Sequence, residues 1–118
     1  MVRRPNHEGV TAIFDALEVS LQVLERLAPI EVRIRRKSAS LAKQLARALE
    51  SVALNLGEGR ARRGGDQRRH YEMAAGSARE VGVALRIARA KQYVTAEELA
   101  PVDELLDRVR AMLYRLTW

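Results

Sequence analysis

The stretch TAEELAPVDELLDRVRAMLYRLT, residues 95–117, contains the clearest helix signal in the chain. Its apolar residues recur at spacings of 3, 4, 3, 4 and 3, at Leu99, Val102, Leu106, Val109, Leu113 and Leu116. This repeat places one apolar stripe along a helix. Thr95 and Glu98 have the spacing of a capping box, and Pro101 falls in the first turns, where proline is tolerated. The stretch therefore predicts a complete amphipathic helix.

The first part of the chain predicts a helix over about residues 10–35. Its apolar stripe consists of Val10, Phe14, Leu17, Leu21, Leu24 and Ala28. Pro29 removes a backbone donor and is expected to end or kink this helix. The alternating apolar residues Ile30, Val32 and Ile34 would also fit a short strand. Because helices flank them, we favour a continued, kinked helix.

Two central helices are predicted, over about residues 39–61 and 66–93. Ser38 or Ser40 can cap the first of them, and Gly64-Gly65 is the firmest break. Asp66 is expected to cap the second. Small residues from Ala74 to Ala78, together with the helix-weakening Gly76 and Gly82, predict close helix packing. The expected core positions are Leu41, Leu45, Leu49, Val52, Leu56, Tyr71, Ala74, Ala78, Val81, Leu85 and Ala88.

Four amphipathic helices with short connections predict an all-α, antiparallel up-down four-helix bundle. A length of 118 residues suits one domain over residues 1–118. The absence of cysteine excludes disulfides, thiolate metal sites and a cysteine nucleophile. No apolar run is long enough to cross a membrane, and the first residues do not resemble a secretory signal. We therefore expect a cytoplasmic protein without a membrane partner.

Positive charge is concentrated in the middle of the chain. The net charge is +6, yet residues 33–69 alone hold eleven basic and three acidic residues. Arginine outnumbers lysine eighteen to three, and its planar guanidinium suits phosphate. The predicted phosphate contacts lie in two clusters that flank the second helix: Arg33, Arg35, Arg36 and Lys37, and Arg60, Arg62, Arg63, Arg68 and Arg69. A solvated arginine-rich surface is the alternative interpretation, and base stacking is not supported because aromatic residues are rare in both clusters.

Residues for metal binding or catalysis are scarce. His7 and His70 are the only histidines, and neither follows a glutamate by three positions, as carboxylate-bridged bundle sites require. No metal, cofactor or catalytic residue is therefore expected. Two sets of polar residues share helix faces: Ser51, Asn55 and Glu58 on the second helix, and Ser77 and Glu80 on the third. They could form a polar site, but such groups more often fix helix register.

Two spaced motifs resemble a known family. SVALNLGEG, residues 51–59, precedes an arginine-rich turn and YEMAAGSARE, residues 71–80. The pattern is similar to that of the four-helix bundle proteins encoded in intervening sequences of bacterial 23S ribosomal RNA genes. The accessory variability determinant (Avd) proteins of diversity-generating retroelements are related to that family. Gln92 stands where the family usually has glycine, and Gly57 stands where alanine is usual. The motif residues in this chain are Ser51, Asn55, Glu58, Gly59, Tyr71, Gly76, Ser77 and Glu80.

This resemblance implies a ring-like homo-oligomer, a pentamer with a central channel. Avd relatives bind nucleic acid and a reverse transcriptase, whereas the resemblance transfers no catalytic residue. Exposed apolar residues would mark an interface, and Val19, Val23, Leu54 and Val83 are the candidates.

Three functions remain open from the sequence. The first is a non-enzymatic, oligomeric nucleic-acid-binding accessory protein that contacts RNA or DNA phosphates. The second is a scaffold or adaptor for a partner protein such as a reverse transcriptase. The third is a hydrolase that uses Glu58 and Glu80, which paired carboxylates alone support poorly.

Overall fold

The structure, a computed structural model, describes residues 7–117, with side chains from residue 16 onward. It consists of four α-helices: α1, His7–Lys37; α2, Ala39–Arg60; α3, Gly64–Ala90; and α4, Ala96–Thr117. No strand occurs within residues 7–117. The predicted all-α four-helix fold is confirmed.

Each helix packs mainly against two others. α1 contacts α2 and α4, and α3 contacts the same two helices. Consecutive helices are joined by one to five residues, so each neighbour runs antiparallel to the one before it. The predicted core positions of α2 and α3 are buried, and so are Leu99, Val102, Leu106, Val109 and Leu113 of α4.

The buried stripe of α1 differs from the predicted one. Leu21 and Ala28 are exposed, Leu17 and Leu24 are half-buried, and the predicted positions Val10 and Phe14 lie outside the described side chains. The core face instead consists of Ala16, Val19, Val23, Leu27, Ile30 and Ile34. Both stripes have helical spacing and lie side by side, so packing against α2 and α4 selects between them.

The interface prediction was wrong for two of its four residues. Val19 and Val23 are 4% and 2% exposed, because they belong to the core stripe of α1. They cannot contact a second protein without unfolding the bundle. Leu54 and Val83, by contrast, are exposed at 68% and 56%.

α1 continues through Pro29 to Lys37, so the helix does not end at the proline. Ile30 and Ile34 are buried, whereas Val32 is 45% exposed. In a strand these three residues would share one face, but in a helix residues 30 and 34 lie together and residue 32 points away. The burial pattern therefore excludes the strand alternative.

Helix ends follow local backbone chemistry. Ser38 caps α2 by accepting a hydrogen bond from Leu41 N–H at 3.2 Å. The capping box of α4 is confirmed, because Thr95 N–H donates to Glu98 Oε1 at 3.0 Å and Glu98 N–H donates to Thr95 Oγ1 at 3.2 Å.

The prediction that Asp66 caps α3 is wrong. α3 begins at Gly64, which has a φ of +57°, and Asp66 lies in its first turn instead of capping it.

The end of α3 was also placed too late. α3 ends at Ala90, and Gln92 follows with a φ of +62°. The N–H of Tyr93 then donates to Ala88 O at 2.9 Å and closes the turn into α4. Gln92 therefore occupies a left-handed position that favours glycine, which is the residue usual in the family pattern.

Among the described helices, none is both long and apolar enough to cross a membrane.

Candidate nucleic-acid interface

The polar motif residues meet between α2 and α3. Ser77 Oγ donates to Ser51 Oγ at 2.7 Å, and Asn55 Nδ2 donates to the same oxygen at 3.1 Å and to Ser51 O at 2.9 Å. All three residues are half-buried. Ser51 thus accepts hydrogen bonds from its own helix and from α3. This geometry favours the interpretation that these residues fix the register of the two helices.

The two motif carboxylates do not join this cluster. Glu58 and Glu80 are exposed, and Glu58 Oε2 accepts a hydrogen bond from Arg62 Nη2 at 3.3 Å. Since Ser51 lies level with Ser77, Glu80 lies level with about residue 48 of α2. Glu58 is ten residues further along, roughly 15 Å away along the helix axis. The two carboxylates are too far apart to act together on one bond.

Close packing between Gly59 and Tyr71 accounts for another part of the motif. A Cβ atom at Gly59 would lie 2.5 Å from Tyr71 Cε1 and 3.2 Å from His70 Cβ. Tyr71 is buried, and its hydroxyl has no hydrogen-bond partner among the described residues. Burial raises the pKa of Tyr71, and the charge of Arg60 partly opposes that rise. His70 is also buried, with Nδ1 2.9 Å from Asp66 O. Gly59, His70 and Tyr71 thus pack together where the end of α2 meets the start of α3.

The arginines of the α2–α3 turn are exposed, but local carboxylates neutralise several of them. Arg62 pairs with Glu58 and, at 3.1 Å, with Asp66, which also accepts from Arg69 at 2.8 Å. The hydrogen bond from Arg69 is the largest cause of the lowered pKa of Asp66. Arg68 pairs with Glu72 at 3.0 Å. Residues 58–72 thus hold five arginines against three carboxylates, which leaves a modest positive surface.

Gln67 has a structural role that the sequence analysis missed. Its Nε2 donates to Gly59 O at 3.1 Å and to Arg62 O at 3.0 Å. Gly59 O also accepts from Arg62 N–H at 3.1 Å, and Arg62 O belongs to the turn after α2, so Gln67 ties the start of α3 to the end of α2 and to the turn. The side chain therefore holds the basic turn in shape. No spacing rule in the sequence indicated this contact.

The other basic cluster lies where α1 ends and α2 begins. Arg33 pairs with Glu98 of α4, and the hydrogen bond from Arg33 is the largest cause of the lowered pKa of Glu98. Arg35, Arg36 and Lys37 occupy the last turn of α1, where the helix dipole favours cations. All three are exposed.

Two further exposed cations follow shortly along the chain. Lys43 and Arg47 are exposed on the first turns of α2 and were absent from the predicted site. Residues 33–47 contain six basic residues and no acidic one. We call the exposed members other than Arg33 the α1–α2 basic surface: Arg35, Arg36, Lys37, Lys43 and Arg47. No carboxylate of residues 16–117 forms an ion pair with any of the five, although the charge of Arg35 partly opposes the rise that burial causes in the pKa of Glu31, one turn earlier on α1.

The two basic regions lie at opposite ends of α2. With 22 residues, that helix spans about 33 Å. One chain therefore does not bring all nine predicted phosphate-binding residues together. The less neutralised charge lies at the α1–α2 end, whereas the sequence alone weighted the two clusters equally.

Comparison with known proteins is consistent with this architecture. The family model described as 23S rRNA-intervening sequence protein matches residues 15–115, and the chain belongs to this family. A crystal structure of a protein of unknown function from the S23 ribosomal protein family of Bacteroides thetaiotaomicron has the same fold, with a TM-score of 0.72. It is 17% identical, and the alignment covers 90% of this chain and 97% of that one. No curated protein matches the chain.

Proposed function

We propose that this protein is a non-enzymatic, oligomeric accessory protein that binds nucleic acid through phosphate contacts. The observation that carries the proposal is the α1–α2 basic surface, with five exposed cations and no ion-paired carboxylate among the described residues. Guanidinium and ammonium groups bind phosphates in a sequence-independent way. The family description, 23S rRNA-intervening sequence protein, supports RNA as the ligand.

The α2–α3 turn contributes less to this proposal. Arg62, Arg68 and Arg69 already hold carboxylates at 2.8–3.3 Å, so a phosphate must compete with those partners. Arg60 and Arg63 are exposed at the same end. We expect this turn to add weaker, secondary contacts to a bound nucleic acid.

An oligomer would bring several α1–α2 basic surfaces onto one ligand. The α2–α3 face supports self-association, because Val83 and Ile87 line one open groove with Gly76, and Leu54 and Met73 are exposed on the same two helices. Gly76 lies on the same face, and a Cβ added there would meet only Arg79 Nη2, at 3.7 Å. The close helix packing expected at Gly76 is therefore absent within one chain, which leaves room for a second copy. A ring of five copies is the arrangement that the family resemblance implies, and linked sites would raise avidity.

The same apolar face favours a second candidate function, that of an adaptor for a partner protein. Leu54, at 68% exposure, is the strongest single indication of such a contact. A reverse transcriptase is the partner that the Avd resemblance implies. Co-purification of one specific protein that survives nuclease treatment would favour this candidate.

Non-enzymatic function is proposed because the carboxylates considered for hydrolysis do not converge. Glu58 pairs with Arg62, and Glu80 lies on another level of the bundle. If any activity on a nucleic acid were detected in purified protein and lost on Glu58→Gln, this part of the proposal would be wrong.

Two triple variants test the binding proposal, since each removes three positive charges. R35A/R36A/K37A removes half of the basic residues between positions 33 and 47, whereas R62A/R68A/R69A removes ion-paired arginines. Fluorescence anisotropy measures the affinity of each variant for a structured RNA and for a duplex DNA. We expect the first variant to weaken binding at least about 10-fold, and the second to have a clearly smaller effect. Equal binding by wild type and R35A/R36A/K37A would overturn the proposal.

A further inference from the structure

A groove between α3 and α4 lies apart from both basic clusters. It encloses about 530 Å³ and is lined by Ala75, Arg79, Asp107, Arg110, Ala111, Tyr114 and Thr117. The two alanines keep it open, and the polar side chains stand along its edges. Its lining residues on α4 recur every three or four positions and form one continuous face of that helix.

Tyr114 is the unusual residue in this groove. It is 64% exposed, whereas Tyr71 is buried and Tyr93 is half-buried. Its ring thus presents an apolar face to solvent next to cationic side chains. Aromatic rings in this setting are the platforms on which unpaired bases stack.

Arg79 and Arg110 supply the charge. Neither forms an ion pair with a carboxylate of residues 16–117. Each guanidinium group lies near one of the glycines in the middle of α3, Gly76 or Gly82. A Cβ at Gly76 would lie 3.7 Å from Arg79 Nη2, and one at Gly82 would lie 3.8 Å from Arg110 Nη1. A Cβ at Gly82 would also meet Leu106 Cδ2 of α4 at 3.9 Å, so the helix packing expected at this glycine is present, whereas at Gly76 no neighbour other than Arg79 comes within 4 Å.

Asp107 also lines the groove, one turn from Arg110 and Ala111. Its carboxylate repels phosphate, so the groove does not suit a continuous run of backbone. It does provide an acceptor for the amino group of a base. The lining thus offers two guanidinium groups for a phosphate, the Asp107 carboxylate for a base amino group and the Tyr114 ring for the face of a base, which together match one nucleotide.

We propose that the α3–α4 groove binds an unpaired nucleotide segment of RNA or DNA, with a base stacked on Tyr114 and its phosphate held by Arg79 and Arg110. This inference rests on the proposed function and extends it from phosphate contact to recognition of single strands. Paired bases in a duplex are stacked on each other and cannot offer a face to Tyr114. The groove therefore adds a preference that the α1–α2 basic surface lacks.

Matched variants of α4 test this groove. Y114L removes the aromatic ring and Y114F keeps it. R110A removes a groove cation, whereas R108A removes an exposed cation from another face of the same helix. Binding is measured by anisotropy with short single-stranded RNA, single-stranded DNA and duplex RNA, and helix content by circular dichroism. The ratio of the affinities for single-stranded RNA and single-stranded DNA shows which nucleic acid the groove prefers.

We expect Y114L to weaken single-strand binding about 5- to 100-fold, while Y114F binds like wild type. R110A should also weaken it, R108A should not, and duplex affinity should be unchanged in both tyrosine variants. The inference is overturned if Y114L binds single strands as well as wild type does. It is also overturned if Y114L loses duplex and single-strand affinity equally. If either result is found while the wild type still binds duplex RNA in a salt-sensitive way, the proposed function stands and only the groove inference fails. If the wild type binds none of the three ligands, both the proposed function and the groove inference are overturned.

Discussion

The ring of Tyr71 lies against the backbone of Gly59, where the end of α2 meets the start of α3. A Cβ atom at residue 59 would lie 2.5 Å from Tyr71 Cε1 and 2.8 Å from Tyr71 Cδ1. Tyr71 is buried and cannot move aside freely. The glycine that ends the Glu-Gly motif is therefore required by packing, independently of any chemistry at the site.

Gly59→Ala should destabilise the protein by about 1–3 kcal/mol, the usual effect of overpacking a core. Gly57→Ala is the matched control, because that position is exposed in the same helix and has no atom within 4 Å of an added Cβ. The control should stabilise by up to about 1 kcal/mol through helix propensity. Urea unfolding of both variants measures the difference. Equal stability of the two variants would contradict this account of the motif.

Ser51 and Ser77 are expected to be coupled energetically. Each single alanine variant leaves a half-buried hydroxyl without the 2.7 Å partner that it has in the wild type. A double-mutant cycle on unfolding free energy should give a coupling of about 1 kcal/mol between S51A and S77A. Asn55 stays in place in all variants as an internal reference. Strict additivity would show that this hydrogen bond does not fix the register of α2 and α3.

Gln92→Gly should stabilise the protein. Gln92 has a φ of +62°, and the left-handed conformation costs a non-glycine residue about 1–2 kcal/mol. Part of that gain is offset by the larger entropy that glycine loses on folding. The expected net increase in unfolding free energy is about 0.5–1 kcal/mol, measured by thermal or urea unfolding. Gln92→Ala keeps the strain and should not stabilise. A destabilised Q92G would contradict this interpretation of the α3–α4 turn.

Acid should weaken the contact between α1 and α4. The Arg33 hydrogen bond and the Thr95 N–H lower the folded-state pKa of Glu98. The unfolded state therefore binds more protons at this carboxyl, so its stabilising effect is present above the unfolded pKa and is lost as pH falls through the folded pKa. Glu98→Gln should flatten the dependence of stability on pH below about pH 5. Unfolding curves at several pH values check this, and an unchanged pH dependence would argue against the Arg33–Glu98 pair.

Local chemistry made part of the fold predictable. The capping box of Thr95 and Glu98 and the apolar stripe of α4 need only neighbouring residues, and both are confirmed. The stripe of α1 was predicted wrongly because two adjacent faces carry helical spacing. Only the positions of α2 and α4 decide that Val19 and Val23 lie inside. The start of α3 was misplaced because its N-cap position belongs to Arg63, which makes no side-chain cap hydrogen bond, and Gly64 follows with a left-handed φ.

The site was predictable to a similar degree. Helical spacing placed Ser51 and Asn55 on one face of α2, but their hydrogen bonds with Ser77 depend on how α3 packs against that face. Neutralisation of the α2–α3 turn was visible in principle, since Arg62 and Arg68 each have an acidic residue four positions away. The pairing of Arg33 with Glu98 was not, because 65 residues separate them. The groove around Tyr114 likewise needs the packing of α3 against α4.

The central claim is that the α1–α2 basic surface binds phosphates, and a salt titration tests it most directly. The slope of log affinity against log salt concentration counts the cations released from the nucleic acid. For a structured RNA, we predict a steep slope in wild type and a slope lower by about 3 in R35A/R36A/K37A, one for each lost contact. Identical slopes for the two proteins, with the variant fully folded, would contradict the claim.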